Sequence, residues 1–370
     1  MASTNFGAMT DNELTLWKRQ VWKAARNQMF LGNFTGTDSN AMITKVNELR
    51  QGQKGAKAVI TLVTDLVGDG VAGDRNLEGN EEPMKQYDQV IQIDMLRHAV
   101  RSEGKMAEQR SVVNFRQQAR DNVAYWLADR LDQMAFLSLS GVSYAFQNNG
   151  VPRVGSDLPY LDFAADVLPP SAGRHYRWNG TTNQFVDPDS ADITAADLPS
   201  WEMLVNLKAM ARDKYIKPVR AGNGVDVYHV FMTPQGIARL KMDDNFIQAY
   251  RHAQGRSRTN PLFKGTSHLG GIEVDGLVIH DFRYVYNTKG TATKWGSGAD
   301  IDGQRILFCG AQALGMADIG LPTWVEKEFD YDNQPGISIG KMFGFMKPRF
   351  YSIYEQSVED FGTICVDTAI

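Results

Sequence analysis

Residues 105–140 read KMAEQRSVVNFRQQARDNVAYWLADRLDQMAFLSLS, a run without glycine or proline that Gly104 and Gly141 bracket. Val112, Phe115, Ala119, Val123, Trp126, Leu127, Leu131, Met134 and Ala135 mostly step by three or four, while Arg110, Arg116, Arg120, Asp121, Asp129 and Arg130 take the other faces. This spacing predicts one long amphipathic helix. At about 1.5 Å per residue it would span roughly 50 Å, more than the width of a small domain. The apolar pattern drifts with a 3.6-residue period and has no repeated a/d heptad, so a spine crossing an elongated subunit is expected rather than a coiled coil.

Before the spine lie two β-rich runs, Val59–Val67 and Val90–Ile93. They are rich in β-branched residues and are expected to pair. Their connection is far longer than the two to five residues a hairpin needs. It carries Gly68, Gly70, Gly73, Gly79 and Pro83, with Asp69, Asp74, Glu78, Glu81 and Glu82 at its tip. A lone two-stranded ribbon is marginal in water, so it is expected to find its partner surface elsewhere, on another chain.

The first 55 residues read as an arm. Leu14, Trp17, Val21, Trp22 and Ala25 predict a short helix near 11–30 with Asp11 as N-cap, and Met42, Ile43, Val46 and Leu49 a second one. Eight bases, among them Lys18, Arg19, Lys23 and Arg26, outnumber four acids through residue 57. Residues 141–200 are broken by prolines and read as an irregular insertion. Regular structure then resumes: a helix from Trp201 behind a Ser200 cap, a strand over 225–232, a helix starting at Pro234, and strands over 271–281, 305–309, 337–339, 341–345, 349–354 and 362–366. Helices and strands mix without a βαβ alternation, which makes the fold class α+β.

Composition narrows the function. A chain of 370 residues with 43% hydrophobic and 22% charged residues is globular, and a net charge of −4 does not suit a DNA-coating protein. Two cysteines, Cys309 and Cys365, cannot build a disulfide framework or a four-ligand zinc site. The uncharged run 133–152 is too rich in Ser, Gly, Asn and Gln to cross a membrane, and Met1–Thr10 has no apolar segment of a signal peptide. Gly68-x-Gly70-x-x-Gly73 matches the dinucleotide fingerprint in letters, yet acids follow where a helix should open on phosphate. Gly336-x-x-x-Gly340-Lys341 is one residue short of a phosphate loop, and Met342 stands where Ser or Thr would reach magnesium. None of the six histidines forms HExxH, and His229 and His280 read as satisfied polar residues in strands. No G-x-S-x-G elbow occurs, Cys309 reads as a small buried hydrophobe, and the acids 69–82 lack calcium-loop spacing. No catalytic residue, metal site or cofactor is expected, and contact with a packaged polyanion should be weak and salt-sensitive.

The order of arm, ribbon, spine, mixed α+β and β-rich return resembles the major capsid proteins of tailed bacteriophages with the HK97-type fold. Carrying the resemblance are Ile93–Arg101 leading into Met106–Arg110 and Trp126–Asp132, then Asn260–Gly265, Gly276–His280, Phe308–Ala313 and Glu326–Asn333, and finally Asp360–Gly362 and Val366–Thr368. It implies an N-terminal arm over 1–55, an E-loop over 56–104 lying on a neighbouring subunit, and a P-domain spine over 105–150. It further implies an insertion over 151–195, an A-domain over 196–330, and P-domain strands over 331–370. Such a protein would build hexamers and pentamers of an icosahedral shell around double-stranded DNA, in the host cytoplasm, with portal, separate scaffold and decoration proteins as partners. The arm bases Lys18, Arg19, Lys23 and Arg26 and the tip acids Asp69, Asp74, Glu78, Glu81 and Glu82 are the expected assembly contacts. Lys57 and Lys85 flank the loop without a motif for crosslinking, so no crosslink is expected. An encapsulin-like compartment shell and an unrecognised soluble enzyme are the alternatives.

Overall fold

The computed structural model describes residues 25, 29–46, 57–63, 66, 68–82, 86–110, 115–220, 225–254, 263–266, 272–290, 294–352 and 354–370. The expected arm helix near 11–30, with its Asp11 cap, falls mostly outside them.

The spine expected over 105–140 is a long helix Phe115–Ser140 preceded by a short helix Lys105–Arg110, with residues 111–114 outside the described residues. At about 1.5 Å per residue the longer helix extends roughly 39 Å. Its first half buries one stripe, Ala119, Val123, Leu127 and Leu131; from Met134 to Ser140 every side chain is buried. Gly141 ends it in the left-handed region, at φ 66°. The Gly141 N–H donates to Ser138 O at 3.2 Å and the Val142 N–H to Leu137 O at 3.0 Å, the paired bonds of a Schellman cap.

Among the described residues two large sheets flank this helix. The nine-stranded sheet is ordered Phe263–Thr266, Ile272–Val274, Leu277–Asp281, Asp226–Met232, Gly303–Cys309, Thr363–Ala369, His175–Asn179 and Gln184–Val186, with Val219–Arg220 pairing on Asp226–Met232. Both of its faces are covered. Leu307, Cys309, Phe231 and Cys365 face the spine helix, while Ile306, Phe308, Val230 and Val366 face the helix Trp201–Asp213. That helix starts as its cap predicts: the Met203 N–H donates to Ser200 Oγ at 3.3 Å. The single strand expected over 271–281 is instead a hairpin: Asp275 and Gly276, at φ 48° and 75°, make a tight turn between Ile272–Val274 and Leu277–Asp281, where both residues enter the left-handed region.

The five-stranded sheet is ordered Thr35–Gly36, Ile43–Val46, Leu314–Phe329, Gln334–Met346 and Asp94–Arg101. The spine helix covers one face, packing Leu127 and its neighbours on Trp324, Ile337, Ile339, Phe343 and Phe345. Trp126 stacks on His98 at 4.5 Å, and Arg116 grips Glu326 through two bonds of 3.2 and 2.7 Å.

Several expectations change here. The second arm helix is instead the strand Ile43–Val46, whose β-branched residues pair in parallel with Leu314–Ala317. The insertion contributes His175–Asn179, which adds to the nine-stranded sheet beside Cys365–Asp367. The chain crosses between the two sheets several times. Asp94–Arg101 from 56–104 and Leu314–Phe329 from 196–330 join the five-stranded sheet, while Thr363–Ala369 from 331–370 runs in the other one.

Candidate assembly surfaces

The ribbon forms between Lys57–Val63 and Gln86–Gln92, with Val59 opposite Val90. Its base is anchored within its own subunit, against the expectation of a wholly external partner. Ala58, Ile60, Ile91 and Ile93 pack on Ala317, Met346 and Phe350. Two glycines of the five-stranded sheet make room for them: a Cβ on Gly315 would lie 2.2 Å from Ile60 Cδ1, and one on Gly344 only 2.1 Å from Gln92 O. The Gln89 side chain bonds both the carbonyl and the N–H of Arg349, the latter donating at 3.0 Å, and the Gln92 N–H reaches Asp166 at 3.2 Å.

The outer part of the ribbon has no such seat. Residues 72–82 are exposed, including Leu77, and so are Asp69, Asp74, Glu78, Glu81 and Glu82. Gly70, Gly73 and Gly79 sit at φ 74°, 65° and 90°, conformations that suit glycine, and no helix opens there, as the letter match to a nucleotide loop would require. Two of the five acids brace the loop itself: Glu82 accepts from the Gly68 N–H and Glu81 from the Gly79 N–H, each at 2.7 Å. Asp69, Asp74 and Glu78 point outward from a tip whose described bases amount to Arg75. The arm residues Lys18, Arg19, Lys23 and Arg26 lie outside the described residues.

A surface that sequence reasoning missed is the open face of the five-stranded sheet. Register aligns three rows across it: Lys327, Gly336 and Arg101; Val325, Ser338 and Ala99; Thr323, Gly340 and Arg97. Val325 is 51% exposed and Met342, one row further, 43%. Arg101 and Lys327 both lie over the Phe329 ring, at 5.3 and 5.1 Å, and Phe329 in turn lies over Gly336. No carboxylate occurs in these three described rows. The floor is flat because its central strand alternates Gly336, Ser338 and Gly340 on this side. The ribbon's own base covers the continuation of the same face, over Gly344 and Gly315. The signal in the sequence was the four-residue glycine spacing within an apolar strand, visible once the strand's pairing is known.

Ionic groups elsewhere are turned inward. Of the eight acids in residues 320–370, Glu326 pairs with Arg116, Glu355 with Arg174 and Lys214, Asp360 with Lys347 and Arg349, and Asp367 with Arg305 and His175, while Glu359 accepts the Gly173 N–H at 3.1 Å and the Ser357 hydroxyl at 2.8 Å. Glu328, Asp330 and Asp332 remain on the exposed hairpin turn, where Asp332 raises the Glu328 carboxyl above its ordinary value. Lys341, the lysine of the near phosphate loop, is buried and bonded to Asp318, which Lys45 also reaches at 2.5 Å. A cleft of about 360 Å³ lined by Arg174, Lys214, Tyr215 and Asp360 holds groups already engaged with one another. Cys309 and Cys365 are free and buried, and burial pushes the Cys365 thiol up to about 11.

These features define a class of protein that works by surface contact: a long helix and two sheets present a projecting ribbon and an open sheet face, with charged groups such as Lys341, Asp360 and Asp367 paired in the interior. A model of the phage capsid protein family matches residues 5–370. A major capsid protein of Pseudomonas phage KPP25 is 56% identical over 371 residues, covering 99% of this chain and 97% of its own. The capsid of Ralstonia phage GP4 superposes with a TM-score of 0.74 at 27% identity, covering 92% of this chain and 90% of that one. The capsid asymmetric unit of cyanophage Pam1 follows at 0.67 and 15%, covering 100% and 96%. The chain belongs to the phage capsid protein family. Its fold is the HK97-like α+β capsid fold, and its role is structural: it is a major capsid protein of a phage shell and part of the virion.

Proposed function

We propose that this chain assembles into hexamers and pentamers of an icosahedral head that encloses double-stranded DNA, and that the ribbon tip of one copy docks on the open sheet face of the next. The observation that carries the reading is the mismatch between the two ends of the ribbon. Its base is seated on the five-stranded sheet, while Asp69, Asp74 and Glu78 project from an unseated tip. The same sheet face continues as a flat floor carrying Arg97, Arg101 and Lys327. Opposite charge across such a contact guides register and encounter more than it adds affinity. The arm, with Lys18, Arg19, Lys23 and Arg26, reaches another subunit, where Glu328, Asp330 and Asp332 offer exposed acids. In this division 1–55 is the arm, 56–104 the E-loop, 105–150 and 331–370 the P-domain, 151–195 an insertion and 196–330 the A-domain. Assembly takes place in the host cytoplasm on a separate scaffold and a portal, and DNA contact is non-specific.

Negative-stain microscopy of the purified chain tests this. The intact chain should form closed shells. Deleting residues 68–83 should leave a folded subunit that forms no stable shell; normal shells from the deletion would refute the docking. Replacing Lys18, Arg19, Lys23 and Arg26 with Ala should lower particle yield and flatten its salt dependence, and an unchanged yield would remove the arm from the reading.

A further inference from the structure

Where the arm enters the body, three titratable side chains meet beneath one short segment. The spine residue Asp132, 4% exposed, accepts the Phe30 N–H at 2.9 Å and the Leu31 N–H at 3.2 Å. It thereby holds the start of the short turn Leu31–Phe34, whose own preceding residue offers no side-chain cap. On the adjacent sheet, His229 Nδ1 and His280 Nε2 lie 3.2 Å apart, at 5% and 2% exposure. Phe34 sits edge-on above both rings, at 4.9 and 5.0 Å, and Phe30 stacks on Phe282 at 4.1 Å while touching His280 edge-on at 6.1 Å. The seated segment, Met29 to Phe34, carries no charge of its own.

We propose that the seating of residues 29–34 is a proton-gated joint of the arm: acid opens it through the imidazole pair, and the Asp132 carboxyl works in the opposite direction. The seated segment keeps water from all three groups. Burial, and for His229 also the other imidazole, holds His229 at about 3 and His280 at about 4. Burial pushes Asp132 up to about 7, over the help of its two N–H donors. The other charged groups facing the site are few. Asp129 on the same helix raises Asp132 further and is itself bonded to Arg283 and to the Tyr284 hydroxyl; Arg283 acts the other way. Asp281 favours a charged His280, and Cys309, across the sheet from His229, is kept a neutral thiol by burial.

The signs follow from which state binds protons. A released imidazole titrates near its ordinary value of about 6.5, so the released state gains protons that the seated one refuses, and seating weakens as pH falls from 6.5 toward 4. A released Asp132 returns to about 3.9, so the seated state holds the extra proton between there and 7, and this contribution strengthens seating as pH falls. Two imidazoles against one carboxyl leave a net uptake of one proton on release, about tenfold per pH unit below 6.5. The two contributions balance near pH 7, where seating is firmest.

Hydrogen exchange of the full chain, read by mass spectrometry on peptides covering 29–36 and corrected for intrinsic rates, tests the joint. Protection should fall by more than tenfold between pH 6.5 and 5, while the strand Thr363–Ala369 stays protected and so marks the opening as local. In His229→Phe/His280→Phe the pH dependence should reverse, and in Asp132→Asn it should steepen toward a hundredfold per unit. If the double variant does not keep Thr363–Ala369 protected, His280→Gln alone should flatten the profile. A wild-type profile without pH dependence, or one that every variant shares, overturns the proposal.

Discussion

The two sheets solve the same packing problem differently. In the nine-stranded sheet the strand Thr363–Ala369 buries every residue, because helices cover both faces. In the five-stranded sheet the strand Gln334–Met346 buries Ile337, Ile339, Phe343 and Phe345 under the spine but leaves its other side to glycines, Ser338 and Met342. Only part of that open side is used within the subunit, where the ribbon base sits on Gly344 and Gly315. The closed sheet is buried on both sides; the half-open one leaves a surface exposed, the one proposed above to receive another copy.

Substitutions should separate these roles. The largest effect belongs to the closed sheet. Phe308→Ala, a fully buried ring between Tyr228 and the helix Trp201–Asp213, should lower stability by about 3–5 kcal/mol, measured by thermal or denaturant unfolding. A loss under about 1 kcal/mol would mean that this core is not the stabilising one. Gly344→Ala should cost about 1–3 kcal/mol, since the new methyl meets the Gln92 carbonyl rather than a side chain that can turn away. Here assembly should suffer more than unfolding does, because the ribbon base has to lift.

The pH response of the closed sheet comes next. Burial works against ionising Asp367, yet Arg305 at 2.7 Å and His175 at 2.8 Å beside it hold its carboxyl below the ordinary range. A lowered native value means stability that is present above about pH 4 and is lost as pH falls through the native value. Unfolding midpoints should therefore drop below pH 4, and Asp367→Asn should be less stable at pH 7 while losing less on acidification. The smallest effect on stability belongs to the open face. Arg97→Ala with Arg101→Ala should change unfolding by under about 0.5 kcal/mol while making shell yield less dependent on salt. If the pair destabilised the subunit as much as Phe308→Ala does, the contrast between the sheets would fail.

Local signals in the chain were read where they are strong. The spine helix, the Ser200 cap, the paired ribbon and the buried character of Cys309 all depend on residues near one another in sequence. Ile43–Val46 was misread because an i, i+3 spacing of apolar residues suits a helix, and nothing local reveals that Leu314–Ala317 will supply a parallel partner. The seat of the ribbon was missed for the same reason. Gly315 and Gly344 look like ordinary strand glycines until Ile60 and Gln92 arrive over them from more than two hundred residues away.

The amino-acid order alone therefore determined the elements and, through their sequence, the α+β class and its likeness to a capsid protein, because helix period, strand alternation, caps and turns are written in neighbouring residues. Only the tertiary structure decided which sheet each strand joins, which side of the five-stranded sheet stays open, and that Asp132 and the His229–His280 pair lie under the same arm segment. Those outcomes rest on pairings between distant segments, whose partners are selected by the burial of whole faces rather than by any local pattern.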